Sequence, residues 1–538
     1  IAVLAATTAP LIAAPGSLDT SFNGTGIAIL FAGKDARSVV VLPDGKIVVA
    51  GTSTAAGHND IMVARCLPNG TLDTSFSGDG IEITSIVGAS QDTATGMVVQ
   101  PDGKIVVVGY SNANGNGNND MLAVRYNANG GLDSTFGVGN GKYSINFGNT
   151  FDDRAASVAL QSDGKIVIGG TKEVGTQSYF AVARLTTAGV LDNSFSGDGA
   201  LYEGLGSGAD EGNAVLVQSD GKIILVGSSE AAADGLNDFA LLRLNPDGTA
   251  DTTFDGDGKV TTNILLRDTA VTAMLQPDGK IIAAGSTAYS ADSCAVRYHP
   301  DGSLDTSFSG DGIFQESFGS LSSFSSVVLQ ADGKIVFGGS SGTLAGRNSN
   351  VIRLMSTGIR DTSFDGDGYV ISDFAPANGD FIFDMALQPD GKLVAVGQLG
   401  NTPGDFLLAR YNMFQKIDSL VGAKISAFVG DNIYNGSGAG QAITIITKKT
   451  GKKKSGFVKI QNDGHETDSF KITGAKGNKR FKVKYFSGTT NVTKLVNAGT
   501  FTTAAITPGA FLLLRVEITA LAKSEGKTKN LLVTASSV

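Results

Sequence analysis

Short runs of consecutive apolar residues, each ending in glycine, recur along the first three quarters of the chain. The run at residues 47–51, IVVAG, follows the turn sequence DGK, and the same order occurs seven times, with the aspartates at Asp44, Asp102, Asp163, Asp220, Asp278, Asp332 and Asp390. An Asp-Gly pair before such a run predicts a tight β-hairpin. Apolar residues that do not alternate with polar ones predict a strand covered on both faces. The pattern therefore predicts a repeated antiparallel sheet with buried central strands.

Two further patterns recur in fixed order with the first. One is L-D-x-[ST]-F-x-G-x-G, and its phenylalanines are Phe22, Phe76, Phe136, Phe195, Phe254, Phe308 and Phe364. The other is an apolar strand that ends in arginine, at Arg65, Arg125, Arg184, Arg243, Arg297, Arg353 and Arg410. Spacings of 54 to 61 residues leave room for four short strands in each repeat. Radial repetition of four-stranded sheets predicts an all-β, seven-bladed β-propeller over residues 18–412.

The ends of this repeat array indicate how the ring closes. Six of the arginines precede an aspartate by eight residues, as Arg65 precedes Asp73, and this interval predicts a cross-strand ion pair. Arg410 has no such aspartate after it, and Asp19 has no such arginine before it. Both are satisfied if residues 18–31 complete the blade formed by residues 380–412, which also removes exposed sheet edges. The sequence thus predicts closure by the N-terminal strand and an Asp19–Arg410 pair.

These repeats resemble the bacterial delta-60 repeat, whose hallmark is [NS]-x-D-G-x-L-D-x-[ST]-F-x-x-x-G beside a D-G-K-I strand. Residues 245–258, NPDGTADTTFDGDG, and 299–312, HPDGSLDTSFSGDG, carry the resemblance most fully, and it covers residues 18–412. It implies a propeller-like fold in large secreted or surface-attached bacterial proteins. It implies no enzymatic activity and no cofactor, because the family has no agreed catalytic motif.

Residues 413–538 have a different pattern, with seven candidate strands separated by turns such as TGKKKSG and GAKGN. About 125 residues of short strands are typical of an immunoglobulin-like β-sandwich, although the cysteine pair and core tryptophan of antibody domains are missing. This segment resembles the immunoglobulin-like modules of bacterial surface proteins. That resemblance implies a role as a spacer, an adhesive unit or an assembly contact.

Charge divides the chain at the same place. Residues 413–538 contain 19 Lys and Arg against 7 Asp and Glu, whereas residues 1–412 contain 23 against 44. An acidic body with a basic tail fits binding to an anionic polymer, complementary surfaces on neighbouring copies, or two independently solvated modules. The densest basic segment is a predicted hairpin tip with Lys448, Lys449, Lys452, Lys453 and Lys454. It is either a solvated loop or a contact with an anionic envelope polysaccharide or with another copy; a nucleic-acid partner is not expected, because no aromatic stacking pattern accompanies the lysines.

Candidate metal chemistry is confined to two D-x-D-G turns. Asp255 and Asp257, and Asp365 and Asp367, supply oxygen ligands of the kind that Ca²⁺ prefers, and a plain glycine turn is the alternative reading. The three histidines, His58, His299 and His465, have no metal-ligand or triad spacing, and we expect them in exposed loops. Cys66 and Cys294 lie in different repeats, which predicts buried free thiols. No nucleophile-elbow or phosphate-loop motif occurs, so we expect no enzyme.

Residues 1–17 are small and apolar but too few to span a membrane. They are either the rear of a secretion signal or an extended strand that is donated to a neighbouring copy. Together these features favour an extracellular, non-enzymatic structural protein that assembles into a filament, sheath or surface layer. A monomeric adhesin or glycan-binding module is the alternative, followed by a secreted carbohydrate-active enzyme.

Overall fold

The computed structural model describes most of the chain. It covers residues 15–413 apart from short gaps at 33–34, 55–56, 114, 116, 149–150, 207, 231–234, 288–290, 320, 344–345, 375–378 and 401–403. Beyond residue 413 it describes 417–424, 427–429, 443–445, 453–462, 469–474, 476–478, 481–505, 511–520, 529–531 and 533–537.

Seven four-stranded antiparallel sheets follow one another along the chain, and strand β1 (Ile27–Ala32) belongs to the last of them. Blade 1 contains β2 (Ala36–Val41), β3 (Ile47–Ser53), β4 (Asp60–Cys66) and β5 (Ile81–Thr84). Blade 2 contains β6 (Asp92–Val99), β7 (Ile105–Ser111), β8 (Asp120–Tyr126) and β9 (Lys142–Ile145). Blade 3 contains β10 (Asp153–Leu160), β11 (Ile166–Val174), β12 (Gln177–Leu185) and β13 (Ala200–Glu203).

The remaining blades have the same plan. Blade 4 contains β14 (Asp210–Val217), β15 (Ile223–Ser229), β16 (Asp238–Leu244) and β17 (Lys259–Thr262). Blade 5 contains β18 (Thr269–Leu275), β19 (Ile281–Thr287), β20 (Asp292–Tyr298) and β21 (Ile313–Glu316). Blade 6 contains β22 (Leu321–Leu329), β23 (Ile335–Thr343), β24 (Gly346–Leu354) and β25 (Tyr369–Ser372). Blade 7 contains β26 (Asp380–Leu387), β27 (Leu393–Leu399) and β28 (Asp405–Tyr411), with β1 as its fourth strand.

The second and third strands of each blade form the core. All residues of β3 and β4 are buried, as are those of β15 and β16. They are buried on both faces because neighbouring blades stack against each other: Val48 and Val63 of blade 1 share a cluster with Val107 of blade 2. This packing explains why the apolar runs do not alternate, and the predicted all-β fold with seven blades is confirmed.

The last blade is completed by the first strand of the chain. Strand β1 pairs antiparallel with β28, with Ile27 opposite Ala409 and Ile29 opposite Leu407. Before β1, Leu18 forms an isolated bridge with Tyr411. The ring of sheets is therefore closed by hydrogen bonds between the two ends of the repeat array.

The chain divides into two compact units, one made of Leu18–Thr362 with Asp367–Tyr411, the other including Asn412–Val538. Described strands of the second unit are β29 (Ile417–Lys424), β30 (Ala427–Val429), β31 (Ile443–Ile445), β32 (Lys453–Asn462), β33 (Phe470–Gly474), β34 (Phe481–Ser487), β35 (Thr490–Asn491), β36 (Phe501–Thr502), β37 (Phe511–Ala520), β38 (Lys529–Leu531) and β39 (Val533–Ser537). They form sheets of six (β30-β29-β32-β37-β34-β35), three (β36-β33-β39) and two (β31-β38) strands. The immunoglobulin-like sandwich itself stays a prediction.

One helix, α1 (Thr493–Ala498), interrupts these strands where no helix was expected. It ends at Gly499, whose φ of 67° closes the helix in the left-handed region. Val496 anchors the helix as its buried residue. Among the described residues, no helix has the length and apolar character needed to cross a membrane.

Candidate functional site

Each blade contains the same buried ion-pair cluster, which we call the clasp: the arginine at the second-last position of the third strand, the aspartate of the LDxSF segment and the lysine of DGK. Nε of the arginine lies 2.6 to 2.9 Å from Oδ2 of the aspartate in six blades, in the pairs Arg65–Asp73, Arg125–Asp133, Arg184–Asp192, Arg243–Asp251, Arg297–Asp305 and Arg353–Asp361. The lysine reaches the same oxygen from the hairpin turn, as Lys104 does at 3.0 Å from Asp133. A side-chain hydroxyl two residues after the aspartate completes the cluster, as Thr135 does for Asp133.

In six blades the clasp also binds the blade to the next one. Nη1 of the arginine donates to a main-chain carbonyl of the following blade, in the pairs Arg65–Ala128, Arg125–Thr187, Arg184–Pro246, Arg243–Pro300, Arg297–Ser356 and Arg410–Pro68. The guanidinium also lies over the LDxSF phenylalanine, at 4.5 Å from the ring centre for Arg125 and Phe136. That ring packs beneath a turn glycine of the next blade, where a Cβ on Gly189 would lie 2.2 Å from Phe136. The recurring residues thus hold neighbouring blades together.

Hydrogen bonds and charge keep the clasp carboxylates ionised. Burial alone would raise the pKa of Asp133, but hydrogen bonds from Thr135 and Lys104 and the charge of Arg125 outweigh it and hold the pKa well below its usual value. The pKa values of Asp19, Asp73, Asp192, Asp251 and Asp305 are lowered in the same way. The clasps are therefore built for the charged form of the aspartate.

The structure brings Asp19 and Arg410 together as the clasp of blade 7. Arg410 Nη2 lies 2.7 Å from Asp19 Oδ2, and Lys392 Nζ lies 2.6 Å from the same oxygen. Nη2 also donates to Ser21 Oγ at 3.1 Å. The geometry differs from the other blades, where Nε contacts the aspartate, because Asp19 and Ser21 reach Arg410 from the far end of the chain rather than around a short turn.

The residues predicted to hold calcium lie in tight turns. Asp255 has φ of 50°, and its N–H donates to Asp301 O of the next blade at 2.9 Å; Asp365 has φ of 51°. Asp257 Oδ1 accepts the N–H of Lys259, and Asp367 Oδ1 accepts that of Tyr369. These contacts account for the turns by backbone geometry. Among the described residues, no three His, Cys, Asp or Glu side chains are grouped so that they could hold a metal ion.

The other predicted residues are placed only in part. Lys448, Lys449 and Lys452 lie outside the described residues, and Lys453 and Lys454 begin β32. His58 Nε2 lies 3.3 Å from Asp60 Oδ1. His299 lies in a turn, and His465 is outside the described residues. Both cysteines are buried and free, and burial raises the pKa of the Cys66 thiol to about 12.

A second recurring aspartate, which the sequence patterns above did not single out, begins or immediately precedes the first strand of several blades. In five of them its Oδ2 accepts an N–H of the segment before that strand, in the pairs Asp92–Ile86, Asp153–Phe147, Asp210–Leu205, Asp268–Ile264 and Asp380–Phe374. These side chains are fully buried. Burial, together with the charges of Asp120 and Asp152, raises the pKa of Asp153 to about 6, although Phe147 and Lys172 act in the opposite direction. Its signal was an aspartate at a constant distance before the DGK turn.

The first strand of every blade carries a β-bulge at the same position. The register shifts at Arg37, Thr95, Ala156, Asn213, Val271, Ser325 and Phe383. The glycine that ends each DGKIVVxG run lies opposite the bulge. A Cβ on Gly109 would lie 1.8 Å from Thr93 O, and one on Gly397 would lie 1.7 Å from Phe381 O. The recurring glycine is therefore needed because the bulged strand approaches it too closely for any side chain.

All seven bulge residues line one cavity of about 630 Å³ that the first strands of the blades surround. The side chains at this position bond or pack from one blade to the next. Thr95 Oγ1 donates to Ala155 O at 2.9 Å, Asn213 Nδ2 donates to Ala270 O at 2.9 Å, and the Arg37 guanidinium lies 4.1 Å from the centre of the Phe383 ring. The bulges thus turn one side chain per blade toward the axis, where a binding site could form.

This axial site escaped the motif analysis because the repeats differ there. The seven bulge residues are seven different amino acids, whereas the residue before them is alanine or glycine in five blades. The sequence signal for this site was a position that differs in every repeat and directly follows a position that is mostly alanine or glycine.

Seven segments of the chain match a family model described as a domain of unknown function (DUF5122) beta-propeller, at residues 42–76, 100–136, 161–195, 218–254, 276–308, 330–364 and 388–413. No curated protein matches the chain. Solved structures similar to it include Sqt1 from Chaetomium thermophilum, with 12% identity, coverage of 69% of this chain and 83% of that chain, and a TM-score of 0.36. The polysaccharide lyase Uly1 has 11% identity, coverage of 72% and 91%, and a TM-score of 0.37. These TM-scores are below 0.5, so the two likenesses carry no argument about function.

One family match falls in each blade, from the DGK hairpin to the LDxSF segment in the first six. The match and the sheets agree on the number of blades and on their order along the chain. Residues 18–412 of this chain are a seven-bladed β-propeller.

Proposed function

We propose that the chain is a non-catalytic scaffold protein that works outside a bacterial cell or on its surface. The observation that supports this most directly is the use of the recurring polar residues. The aspartate of a clasp contacts the arginine and the lysine, and the arginine also contacts the next blade. The polar residues that the repeats share therefore stabilise the ring.

An extracellular location is supported by two features of the sequence. The repeats resemble the delta-60 repeat, which implies secreted or surface-attached bacterial proteins. Residues 1–17 have the small, apolar composition of the rear of a secretion signal. Fractionation of the native cells with an antibody against the propeller tests this location, and a signal confined to the cytosol would contradict it.

The absence of catalysis has a direct test. We expect no release of reducing ends when the purified chain is incubated with a panel of neutral and acidic polysaccharides. Turnover that disappears on Asp384→Asn or Glu211→Gln, two acidic residues that line the axial cavity, would show that the protein is a carbohydrate-active enzyme.

Self-assembly is the finer part of the proposal. It is supported by the opposite charges of residues 1–412 and 413–538 and by an N-terminal segment that is suited to strand donation. Light scattering and negative-stain microscopy of the purified chain test it, with a variant that lacks residues 1–14 as the comparison. Ordered polymers that require residues 1–14 support strand donation; a monomer at high concentration contradicts assembly and favours a monomeric binding module.

A further inference from the structure

The axial cavity has the size and the position of a ligand site that the scaffold role does not use. Its volume of about 630 Å³ lies within the range of about 300 to 1,000 Å³ that is typical of small-molecule sites. Its wall is formed by residues of all seven blades. The bulge residues that line it are seven different amino acids, so each direction around the axis has its own chemistry.

Both guanidinium groups that line the cavity are paired with carboxylates. Five charged side chains line it: Arg37, Arg154, Glu173, Glu211 and Asp384. Arg154 pairs with Glu173 at 2.9 Å and also with Asp152, and Arg37 pairs with Asp35. An anion would have to compete with these carboxylates for the guanidinium groups, and Glu211 adds a further carboxylate to the wall. The electrostatics therefore disfavour an anionic ligand.

The rest of the wall is rich in groups that both donate and accept hydrogen bonds. Hydroxyls line the cavity at Ser38, Thr93, Thr95, Ser157, Thr171, Ser178, Thr272 and Ser325. Where such a group donates to the protein, as Ser325 Oγ does to Ile382 O at 2.5 Å, its oxygen keeps lone pairs that can accept from a ligand. The side chain of Asn213, which also lines the cavity, adds an amide oxygen.

Two aromatic rings complete the wall. Tyr110 and Phe383 line the cavity, and each has an arginine beside it, Arg154 at 5.9 Å and Arg37 at 4.1 Å from the ring centre. An aromatic face carries partial negative charge, so it attracts the weakly positive C–H groups of a ring whose hydroxyls point sideways. Arginines already paired with carboxylates, hydroxyls that can donate and accept, and aromatic rings together suit a small ring that carries several hydroxyls.

We propose that the axial cavity binds a neutral saccharide unit, as a free sugar or as the end of a glycan chain. Glu211 accepts hydrogen bonds from its hydroxyls, and Asn213 can both accept from them and donate to them. The hydroxyl side chains of the bulged strands supply further hydrogen bonds. No bond in the saccharide is broken, so the protein stays non-catalytic. This binding goes beyond the scaffold role and does not depend on assembly.

The sharpest test fills the cavity without changing its charge. Ala156→Phe places a phenylalanine at the bulge of blade 3, and the equivalent bulge of blade 7 already holds Phe383, so the backbone accommodates the residue. Ala188→Phe is the matched control, because Ala188 is exposed in a turn of the same blade and does not line the cavity. Glu211→Ala removes a hydrogen-bonding group, with Glu82→Ala as its control, because Glu82 is a half-buried glutamate on β5 that does not line the cavity.

Binding is measured on the full chain by saturation-transfer NMR and calorimetry. The probes are glucose, galactose, mannose, maltose, cellobiose and lactose, together with an array of immobilised neutral oligosaccharides; binding to the free sugars or only to the array distinguishes a free ligand from a chain end. We expect binding of at least one probe, weakened at least tenfold by Ala156→Phe and by Glu211→Ala and unchanged in both controls. Absence of binding to every probe, or equal binding by Ala156→Phe and the wild type, would overturn the proposal. Binding of sulfate or phosphate in place of the sugars would also overturn it.

Discussion

Arg410 Nη2 lies 2.7 Å from Asp19 Oδ2. This contact joins β28, the last strand of the repeat array, to the segment that precedes β1. Lys392 Nζ contacts the same oxygen of Asp19. Arg410 Nη1 also donates a hydrogen bond to the carbonyl of Pro68, in blade 1, at 2.5 Å. One arginine therefore completes blade 7 and attaches it to blade 1. In every other blade the arginine and aspartate of the clasp are eight residues apart, so only here does their pairing join the two ends of the repeat array.

Removal of the closing carboxylate should destabilise the propeller. Asp19→Asn leaves Arg410 without its charged partner and leaves Lys392 with Asp390 alone, and breaking one side of a buried ion pair costs about 3 to 5 kcal/mol. We expect a loss of that order in the free energy of unfolding measured by urea denaturation. The matched control is Asp73→Asn, which breaks the clasp of blade 1 without affecting closure and should cost a similar amount. A cost near zero for Asp19→Asn beside a full cost for Asp73→Asn would mean that the ring does not depend on this contact.

The glycine opposite the bulge in each blade should tolerate no side chain. Gly397→Ala would place a Cβ 1.7 Å from Phe381 O, so either the bulge in β26 or the β26–β27 ladder must shift. We expect a fall in the melting temperature of several degrees or failure to fold. Gly346→Ala is the control, because no atom lies within 4 Å of a Cβ at that position. Equal melting temperatures for the two variants would contradict the close approach.

The clasps should make the protein sensitive to acid. The pKa of Asp133 is lower in the folded chain than in the unfolded one, so the folded state binds its proton less readily. This contribution to stability is fully present above the unfolded pKa of about 4 and is lost as the pH falls below it. We expect the free energy of unfolding of the wild type to fall between pH 5 and pH 3. Asp133→Asn should be less stable at pH 5 and should show a smaller fall, and an unchanged pH dependence would argue against an ionised clasp.

Asp153 should have the opposite effect. Its pKa is raised to about 6, so the folded chain holds this proton more tightly than the unfolded chain does. The associated stability is present below the unfolded pKa of about 4 and is lost as the pH rises through about 6. Asp153→Asn removes this loss while its amide oxygen can still accept the N–H of Phe147. We expect the stability of the variant relative to the wild type to improve from pH 4 to pH 7, as measured by urea denaturation at each pH; a constant difference would contradict the raised pKa.

Most of the propeller could be predicted because its residues act locally or repeat. The DGK turn, the apolar run and the interval of eight between Arg125 and Asp133 each describe a hairpin, and hairpin geometry is set by nearby residues. The repeat count then gave the number of blades. The unpaired positions of Asp19 and Arg410 indicated closure, because each lacked the partner that its counterparts had.

The axial site could not be predicted in the same way. Its residues come from seven separate strands, and the bulge that turns Thr95 or Asn213 toward the axis appears in the sequence only as a glycine on the neighbouring strand. The roles of the clasp residues between blades were also hidden: the interval between Arg125 and Asp133 indicates their pairing, but it does not reveal that Arg125 also contacts Thr187 in the next blade.

The sequence by itself determined the all-β character, the seven blades and the arginine–aspartate pairs, because short-range periodicity and turn chemistry specify hairpins. The tertiary structure decided that these same residues join neighbouring blades and that seven differing side chains meet around one cavity. The physical reason is that contacts between blades depend on the twist and radial stacking of whole sheets, which bring together residues whose separation along the chain carries no local signal.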